Sequence, residues 1–466
     1  VNRREFLALG GAAATAGIGW FARAGARPPD LSGRPVGRRA LRVAVLGAGV
    51  AGMTAASELS RAGHRVRVYE ARDRIGGRVW TDHRMGVPVD LGAAWMHGRN
   101  PLFHRLVDAG EQFADETDFE SLSFVDVDGT RLEETAVLRS GLRSVAVERM
   151  LASLSATADI PDVSVAAALD RIGAAHGLAG RDARMDDFIH YVIWHQTFAI
   201  DPGLLSARQL GRYHDYSGPE FVPERGMEAV FDLLDPDVDV RLNTPVEAVR
   251  LSADGVEIQT AIGVDRFDRC VCAIPLGVLQ TGTPVFEPGL PAEVRRATER
   301  LVVGDFYKLV LRFPEVFWHA ETDFTAILAE AGRWGDGRHS AFMHYDHVHG
   351  EPILIMVAGT HFAVQLERAG THHATREAMR RLRLAYGPDI PDPVDSMATT
   401  WRSDPWSNGA YTNYGVGATA EDVRAFSRLH SGRITFAGEH TSEQVSSSVH
   451  GAFESGRRAA VTIAAS

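Results

Sequence analysis

The spacing of apolar residues changes several times within the first seventy positions, and each change marks an element. Val43-Ala44-Val45-Leu46 is a continuous apolar run, the pattern of a strand buried on both faces. It stops at Gly47, and Gly49 and Gly52 follow at intervals of two and three. Residues 50–62 then carry a helical pattern, and Gly63 stands where a C-cap glycine would end the helix. A second strand, Arg65-Val66-Arg67-Val68-Tyr69, alternates charged with apolar side chains and ends at an acid, Glu70. Strand, glycine turn, helix, strand and acid in this order predict a βαβ unit that binds a dinucleotide. Gly47 permits the tight turn, Gly49 lets backbone approach the pyrophosphate, and Gly52 lets the helix pack on the strand. The phosphates would lie at the helix N-terminus, where free N–H groups and the macrodipole favour negative charge. Glu70 is placed to accept hydrogen bonds from a ribose.

The rest of the chain is legible more coarsely. Helical patterns dominate residues 101–210, for example at 150–158 and 165–175. Short strands are predicted at 238–251, 255–274, 306–313, 351–358 and 433–437, the last ending at Gly438, with a helix beginning near Ser448. Strand–helix units that leave and rejoin one another predict an α/β fold with a discontinuous nucleotide-binding domain and an inserted substrate domain. We divide the chain into nucleotide-binding parts at 41–100, 223–285 and 399–466, and substrate-domain parts at 101–222 (mostly helical) and 286–398. Residues 27–40, rich in Pro, Gly and Arg, form a linker ahead of them.

Composition narrows the function. With 466 residues, 45% of them hydrophobic, the chain can bury more than one core. Its 49 basic and 60 acidic residues give a formal charge of −11, which argues against nucleic acid and suits cationic substrates. The only cysteines, Cys270 and Cys272, share one face of a predicted strand; the spacing is poor for a disulfide and no histidine cluster completes a metal site. They are packing residues, and no metal is expected. No run reaches the roughly eighteen apolar residues that a membrane span needs.

Gly76-Gly77, flanked by Arg74 and Arg78, adds a second close backbone approach and two cations for a pyrophosphate. This arrangement resembles the flavoprotein family that includes the amine oxidases, in which Arg78 would contact the diphosphate. A nicotinamide-dependent dehydrogenase is not expected to carry it, so the resemblance implies FAD as the dinucleotide. Four later motifs extend the resemblance. Asp90-Leu91-Gly92-Ala93-Ala94-Trp95-Met96-His97-Gly98 is similar to the flavin-contacting loop of polyamine oxidases. Cys272-Ala273-Ile274-Pro275-Leu276-Gly277-Val278-Leu279 resembles their return strand and turn. Trp401-Arg402-Ser403-Asp404-Pro405-Trp406-Ser407-Asn408-Gly409-Ala410-Tyr411 resembles the segment beside the flavin ring. Phe436-Ala437-Gly438-Glu439-His440-Thr441-Ser442-Glu443, followed by Val449-His450-Gly451-Ala452, resembles the C-terminal flavin motif. On these motifs residues 41–466 are identified as a member of the flavin-containing amine oxidases. The resemblance implies a glutathione-reductase-like, Rossmann-like FAD domain with an inserted α+β substrate domain. It also implies oxidation of a C–N bond to an imine that water hydrolyses, with O2 as the electron acceptor and H2O2 as its product.

The same resemblance assigns site residues. Lys308, in Phe306-Tyr307-Lys308-Leu309-Val310-Leu311, would hold a water against flavin N5 and assist the reaction with oxygen. From the residues alone it could equally be an edge-strand lysine reaching solvent. His97 would face the substrate amine, and Tyr411 would form one wall of an aromatic cage. A group near the amine has work to do: hydride leaves the α-carbon only of a neutral amine, and an alkylamine pKa of about 10.4 makes deprotonation at pH 7 cost about 4–5 kcal/mol. Gly92, Ala93, Ala94, Trp95 and Trp401 would border the flavin. Gly438 and Glu439 would sit at its ribityl chain, Ser448 and Val449 at its pyrimidine edge, and Val246 at the adenine. Ser448 stands where many relatives place the second aromatic wall, which leaves the cage half open. Ala410 stands where monoamine oxidases attach the flavin through cysteine, so FAD should be non-covalent.

Asn2-Arg3-Arg4-Glu5-Phe6-Leu7, then a weakly apolar stretch and Ala24-Gly25-Ala26, resembles a twin-arginine signal peptide over residues 1–26. The expected location is therefore periplasmic or secreted, reached in the folded, FAD-loaded state. Two other enzymes remain open from sequence: an amino-acid oxidase, which would want an arginine such as Arg99 or Arg402 for a carboxylate, and a dehydrogenase passing electrons to a periplasmic carrier. A flavin-binding protein without turnover is disfavoured by Lys308, His97 and Tyr411 together.

Overall fold

The computed structural model describes residues 40–466, apart from 118–120, 133–160, 173–179, 214–215, 217–219, 236, 320, 334 and 336–337. The expected signal peptide, nearly all of the linker and the helix expected at 150–158 lie outside the described residues.

The apolar run at 43–46 becomes the middle strand of a five-stranded parallel sheet. Its order is Ile434–Phe436, Arg269–Cys272, Arg42–Leu46, Arg65–Tyr69 and Asp239–Arg241. Val45 pairs with Val271 on one side and Val68 on the other, so both of its edges and both of its faces are covered. On one face lie the helices Val50–Arg61 and Val449–Ala464. They touch backbone to backbone at Gly456, where a Cβ would lie 2.3 Å from Ala51 O. The other face, with Leu46, Cys270, Cys272 and Phe436, packs on Val249, Val256, Ile258 and Phe267 of a four-stranded sheet. Cys270 and Cys272 are buried, free thiols, as their pattern suggested.

A second, six-stranded sheet runs in the order Asp395–Ala398, Phe306–Arg312, Ile353–Gly359, Ser340–His344, Phe324–Ile327 and Leu122–Val125. Alternation along Phe306–Arg312 decides which side chain goes where. Tyr307, Leu309 and Leu311 point to the helices Thr360–Ala369 and Thr371–Tyr386. Phe306 and Val310 belong to the opposite cluster, with Leu91 and Trp95, and Lys308 shares their face. The strand is interior, between Asp395–Ala398 and Ile353–Gly359, which removes the edge-strand reading of Lys308.

Residues 101–222 are less helical than expected. Pro101–Asp108, Val165–Ile172, Gly180–His190 and the π-helical turn Tyr191–Thr197 are helices, but Phe113–Thr117, Leu122–Val125 and Glu220–Pro223 are strands. Their partners lie at Met96–His97 and Phe324–Ile327 or within the set itself, pairings a local period does not carry.

Candidate active site

The two sheets enclose a cavity of about 1450 Å³. Drug-sized ligands fill roughly 300–1,000 Å³, so this volume admits a dinucleotide and a second molecule. Every flavin- and amine-site residue the sequence nominated lines it except Gly52 and Arg74.

At the nucleotide end, Gly47 has φ +97° and donates to Tyr69 O at 2.8 Å. A Cβ on Gly52 would lie 1.9 Å from Gly47 O, so this glycine lets the helix pack on the turn itself more than on the strand. A Cβ on Gly49 would meet nothing nearer than Gly76 O at 3.8 Å, so the space is open on the cavity side. No side chain caps the helix that starts at Val50, and its first turn carries no acid, which leaves its N–H groups for an anion. The Gly76 N–H donates to Ala48 O at 2.9 Å, bringing the two glycine turns together. Glu70 is buried and clamps this turn, accepting from Ala48 N at 2.7 Å and Arg72 N at 2.9 Å. Val246 lines the same end, two residues after Thr244, whose N–H donates to Glu70 O.

The two arginines of the Gly76-Gly77 turn have different work. Arg74 donates to Ile75 O and Gly77 O, each at 3.0 Å, and stacks over Trp80; it braces the turn and does not line the cavity. Arg78 does line it, donating to Ala410 O at 2.6 Å and Glu439 Oε1 at 2.9 Å. Arg72, not singled out from sequence, lines it as well and pairs with Asp404 at 2.5 Å.

In the middle of the cavity Glu439 accepts from Arg78, from Thr412 Oγ1 at 2.9 Å and from Ser447 N at 3.0 Å. Burial pushes its carboxyl upward, but Arg78 and His440 outweigh it and hold the group below the usual range. Ser447 presents its amide from φ +64°, a conformation a serine adopts only under constraint. Ser448 is the N-cap of the last helix: its Oγ accepts from Gly451 N at 3.1 Å and donates to Val445 O at 2.7 Å. A cap therefore accounts for serine here independently of any cage. On the opposite wall Gly92 packs under Arg78 O, where a Cβ would sit 1.9 Å away, and Ala93 N donates to that same oxygen. Ala94 and Trp95 follow, and Trp401 Nε1 donates to Leu91 O at 3.3 Å.

Lys308 reaches this loop from the six-stranded sheet. It is 2% exposed, donates to Asp90 O at 2.8 Å and Gly92 O at 2.7 Å, and its ammonium lies 5.1 Å from the centre of the Trp95 ring. Burial lowers its pKa and Asp90 opposes that fall. It is also the only lysine in the chain, beside 48 arginines. A count of the sequence alone carries that signal.

His97 donates from Nδ1 to the carboxylate oxygen Oε2 of Glu220, its cross-strand neighbour, at 2.6 Å. Its ring meets the edge of His450, 6.5 Å between centroids. Glu220 and His450 both line the cavity and were missed, Glu220 because only strand pairing brings it to His97. Tyr411 donates to Gln196 O at 2.8 Å and Thr197 O at 3.2 Å, and its ring lies 6.2 Å from Phe306. Burial raises its pKa, so it stays a neutral phenol. Trp194, Phe198 and Tyr213 line the cavity from the neighbouring segment.

Known proteins agree with this geometry. The profile of the flavin containing amine oxidoreductase family matches residues 50–464. The chain belongs to the flavin-containing amine oxidases. It is 32% identical over 451 residues to polyamine oxidase 2 of Arabidopsis thaliana, covering 92% of this chain and 89% of that protein. It is 30% identical over 431 residues to polyamine oxidase 3 of Oryza sativa subsp. japonica, covering 89% and 87%. A putrescine oxidase double mutant, redesigned in cofactor binding, superposes with a TM-score of 0.72 at 21% identity, covering 91% of this chain and 99% of its own. That last likeness speaks for the fold.

The cofactor of this oxidase family is FAD, and the residues present fit it. The bare glycine at 49, the uncapped helix, Arg78 and the acid Glu70 form a cradle for a diphosphate and ribose. The N-terminus of the last helix, at Ser448 and Val449, offers positive potential where a flavin ring would carry negative charge. Neither arginine weighed for an amino-acid carboxylate reaches the cavity: Arg99 is exposed, and Arg402 is bound to Asp305, Asn408 O and Val303 O.

Proposed function

We propose that this oxidase acts on a polyamine-like primary or secondary amine, with O2 as acceptor and an imine, its hydrolysed aldehyde and H2O2 as products. The observation that carries the reading is Lys308, a single lysine kept buried at the cavity wall between the Asp90–Gly92 loop and Trp95. An interior cation is costly unless its charge is used. FAD supplies the two-electron acceptor when bound.

The chain's own residues bind and prepare the amine. Tyr411 and Phe306 offer aromatic faces to a cation or to its alkyl chain. The mostly apolar, aromatic lining disfavours charge, which favours the neutral form of the amine. His97, tied at Nδ1 to Glu220, is a proton-holding group beside the same space. The Glu220 carboxylate and the overall charge of −11 favour cationic over anionic substrates, and the two relatives above are named polyamine oxidases. An amino-acid substrate would instead need an arginine, and the exposed lining residues Arg208 and Arg212 are the ones to test. The twin-arginine motif supports export of the folded, loaded enzyme.

Stopped-flow measurement of the two half-reactions tests these roles. Lys308→Met should slow reoxidation by O2 more than reduction by amine. His97→Ala should slow reduction by about 10²-fold and change its pH profile, leaving reoxidation nearly intact. A wild-type oxygen reaction in Lys308→Met would remove oxygen as the acceptor that this lysine serves.

A further inference from the structure

Two opposite charges are buried side by side in this structure without touching. Asp90 is 2% exposed, and among the described residues no cation reaches its carboxylate. Oδ1 accepts from Thr81 Oγ1 at 2.6 Å, and both oxygens lie 3.0 Å from Met227 N. Lys308 likewise has no carboxylate within ion-pair distance among the described residues; its ammonium is held by the main-chain oxygens of Asp90 and Gly92. Each charge alone would be driven to neutrality by burial. Burial does raise the Asp90 carboxyl, with Lys308 opposing, and it lowers the Lys308 ammonium, with Asp90 opposing. The other titratable groups acting on the pair are Glu228, which pairs with His83, and Tyr345, whose hydroxyl donates to Pro88 O. Neither is a cation, so Lys308 and Asp90 are each other's compensation.

The composition sharpens the point. All other cations of this chain, histidines aside, are arginines, which keep their proton at any working pH. Apart from the histidines, the one basic side chain able to lose its proton near neutrality is placed against the cavity.

We propose that Asp90 is a positioning residue that acts through Lys308: its carboxylate, hung from Thr81 and the Met227 amide, is the counter-charge that keeps this lysine an ammonium. The contact is indirect, through the main chain of the same loop, so the carboxylate sets the lysine's charge without competing for its hydrogens. A lysine left neutral would offer a lone pair in place of a charge at the cavity wall. The effect of that on the oxygen reaction rests on the role proposed above for Lys308; the effect on ionisation does not.

A sole lysine makes the test direct. Holoenzyme labelled with [ε-¹³C]lysine has one protein lysine signal, and its shift against pH reports Lys308 alone. Asp90→Asn should lower the titration midpoint by about one pH unit or more, a tenfold change in the ionisation equilibrium. Thr81→Ala keeps the carboxylate but removes a donor that holds it charged; it should lower the midpoint by less, and it decides the matter if Asp90→Asn does not fold. A midpoint that stays in place or rises in the folded variants overturns the proposal. The reoxidation rate adds a second readout: Asp90→Asn should slow it in wild type and leave it unchanged in the Lys308→Met background. An equal loss in both backgrounds would mean that Asp90 acts by another route and would also overturn the proposal. If Lys308→Met itself leaves reoxidation untouched, the oxygen role falls while the midpoint still decides on Asp90.

Discussion

Alanine at Gly49 and alanine at Gly52 should damage this protein in different ways, although the residues are three apart in one turn. Gly49 is an N-cap with φ −74° and ψ 177°, backbone that alanine adopts freely, and its added Cβ would have no neighbour closer than 3.8 Å. Alanine is a poorer N-cap than glycine by roughly 0.5–1 kcal/mol, and reduced freedom of the unfolded chain returns about 0.4–1 kcal/mol. The two cancel to within about 0.5 kcal/mol, so the apo-protein should unfold at the wild-type urea midpoint. The methyl group would stand where the diphosphate must approach. An overpacking cost of about 1–3 kcal/mol corresponds to roughly 5- to 150-fold weaker FAD binding. Gly52→Ala is the reverse case. Its Cβ would fall 1.9 Å from Gly47 O and 3.1 Å from Gly47 C, both backbone atoms that cannot swing away. The helix must shift off the turn, at about 1–3 kcal/mol or more, with or without cofactor. Urea melts of the apo-proteins and fluorescence titrations with FAD separate the two effects. Wild-type affinity in Gly49→Ala, or a wild-type midpoint in Gly52→Ala, would refute the assignment of the cradle.

Acid precipitation should leave the yellow colour in the supernatant, because Ala410 offers no thiol to the flavin and both cysteines are buried elsewhere; colour in the pellet would contradict it. Burial lowers His344 and His440 to about 4 from 6.5, and neither ring nitrogen of His440 has a partner among the described residues. The unfolded chain therefore binds protons between about pH 6.5 and 4 that the folded one refuses, and stability should be full above pH 6.5 and fall on acidification by up to about 3 kcal/mol per histidine. Thermal melts of His440→Leu from pH 7.5 to 4.5 should show a flatter decline than wild type, and an equal slope would exclude this histidine. Replacing Arg3 and Arg4 with lysine should trap active enzyme in the cytoplasm, and unchanged periplasmic activity would sink the export proposal.

What the sequence made legible follows from the range of the forces involved. The βαβ unit was plain because its turn needs Gly47 at φ +97° and bare backbone at Gly49, constraints that act within ten residues. Lys308 was nominated through resemblance, while its own signals, an interior strand and a unique residue type, needed the sheet order and a count. Glu220 stayed hidden because its partner His97 is more than a hundred residues away, joined by a two-residue strand. The helical bias expected across residues 101–222 failed for the same reason: Leu122–Val125 is a strand only because Phe324–Ile327 lies beside it. Arg74 was given to the pyrophosphate from its position next to Gly76, whereas local geometry turns it onto the carbonyls of Ile75 and Gly77.

Anaerobic mixing of the holoenzyme with a panel of polyamines, matched monoamines and amino acids, followed at the flavin absorbance, tests the central claim most directly. A cavity with His97 and Glu220 at its polar side and Tyr411 and Phe306 as walls should let di- and polyamines bleach the flavin in a single turnover, faster than amino acids do. Admitting air should restore the absorbance with one H2O2 per amine oxidised. Flavin that stays oxidised against every amine, in protein that holds its FAD, would contradict the account.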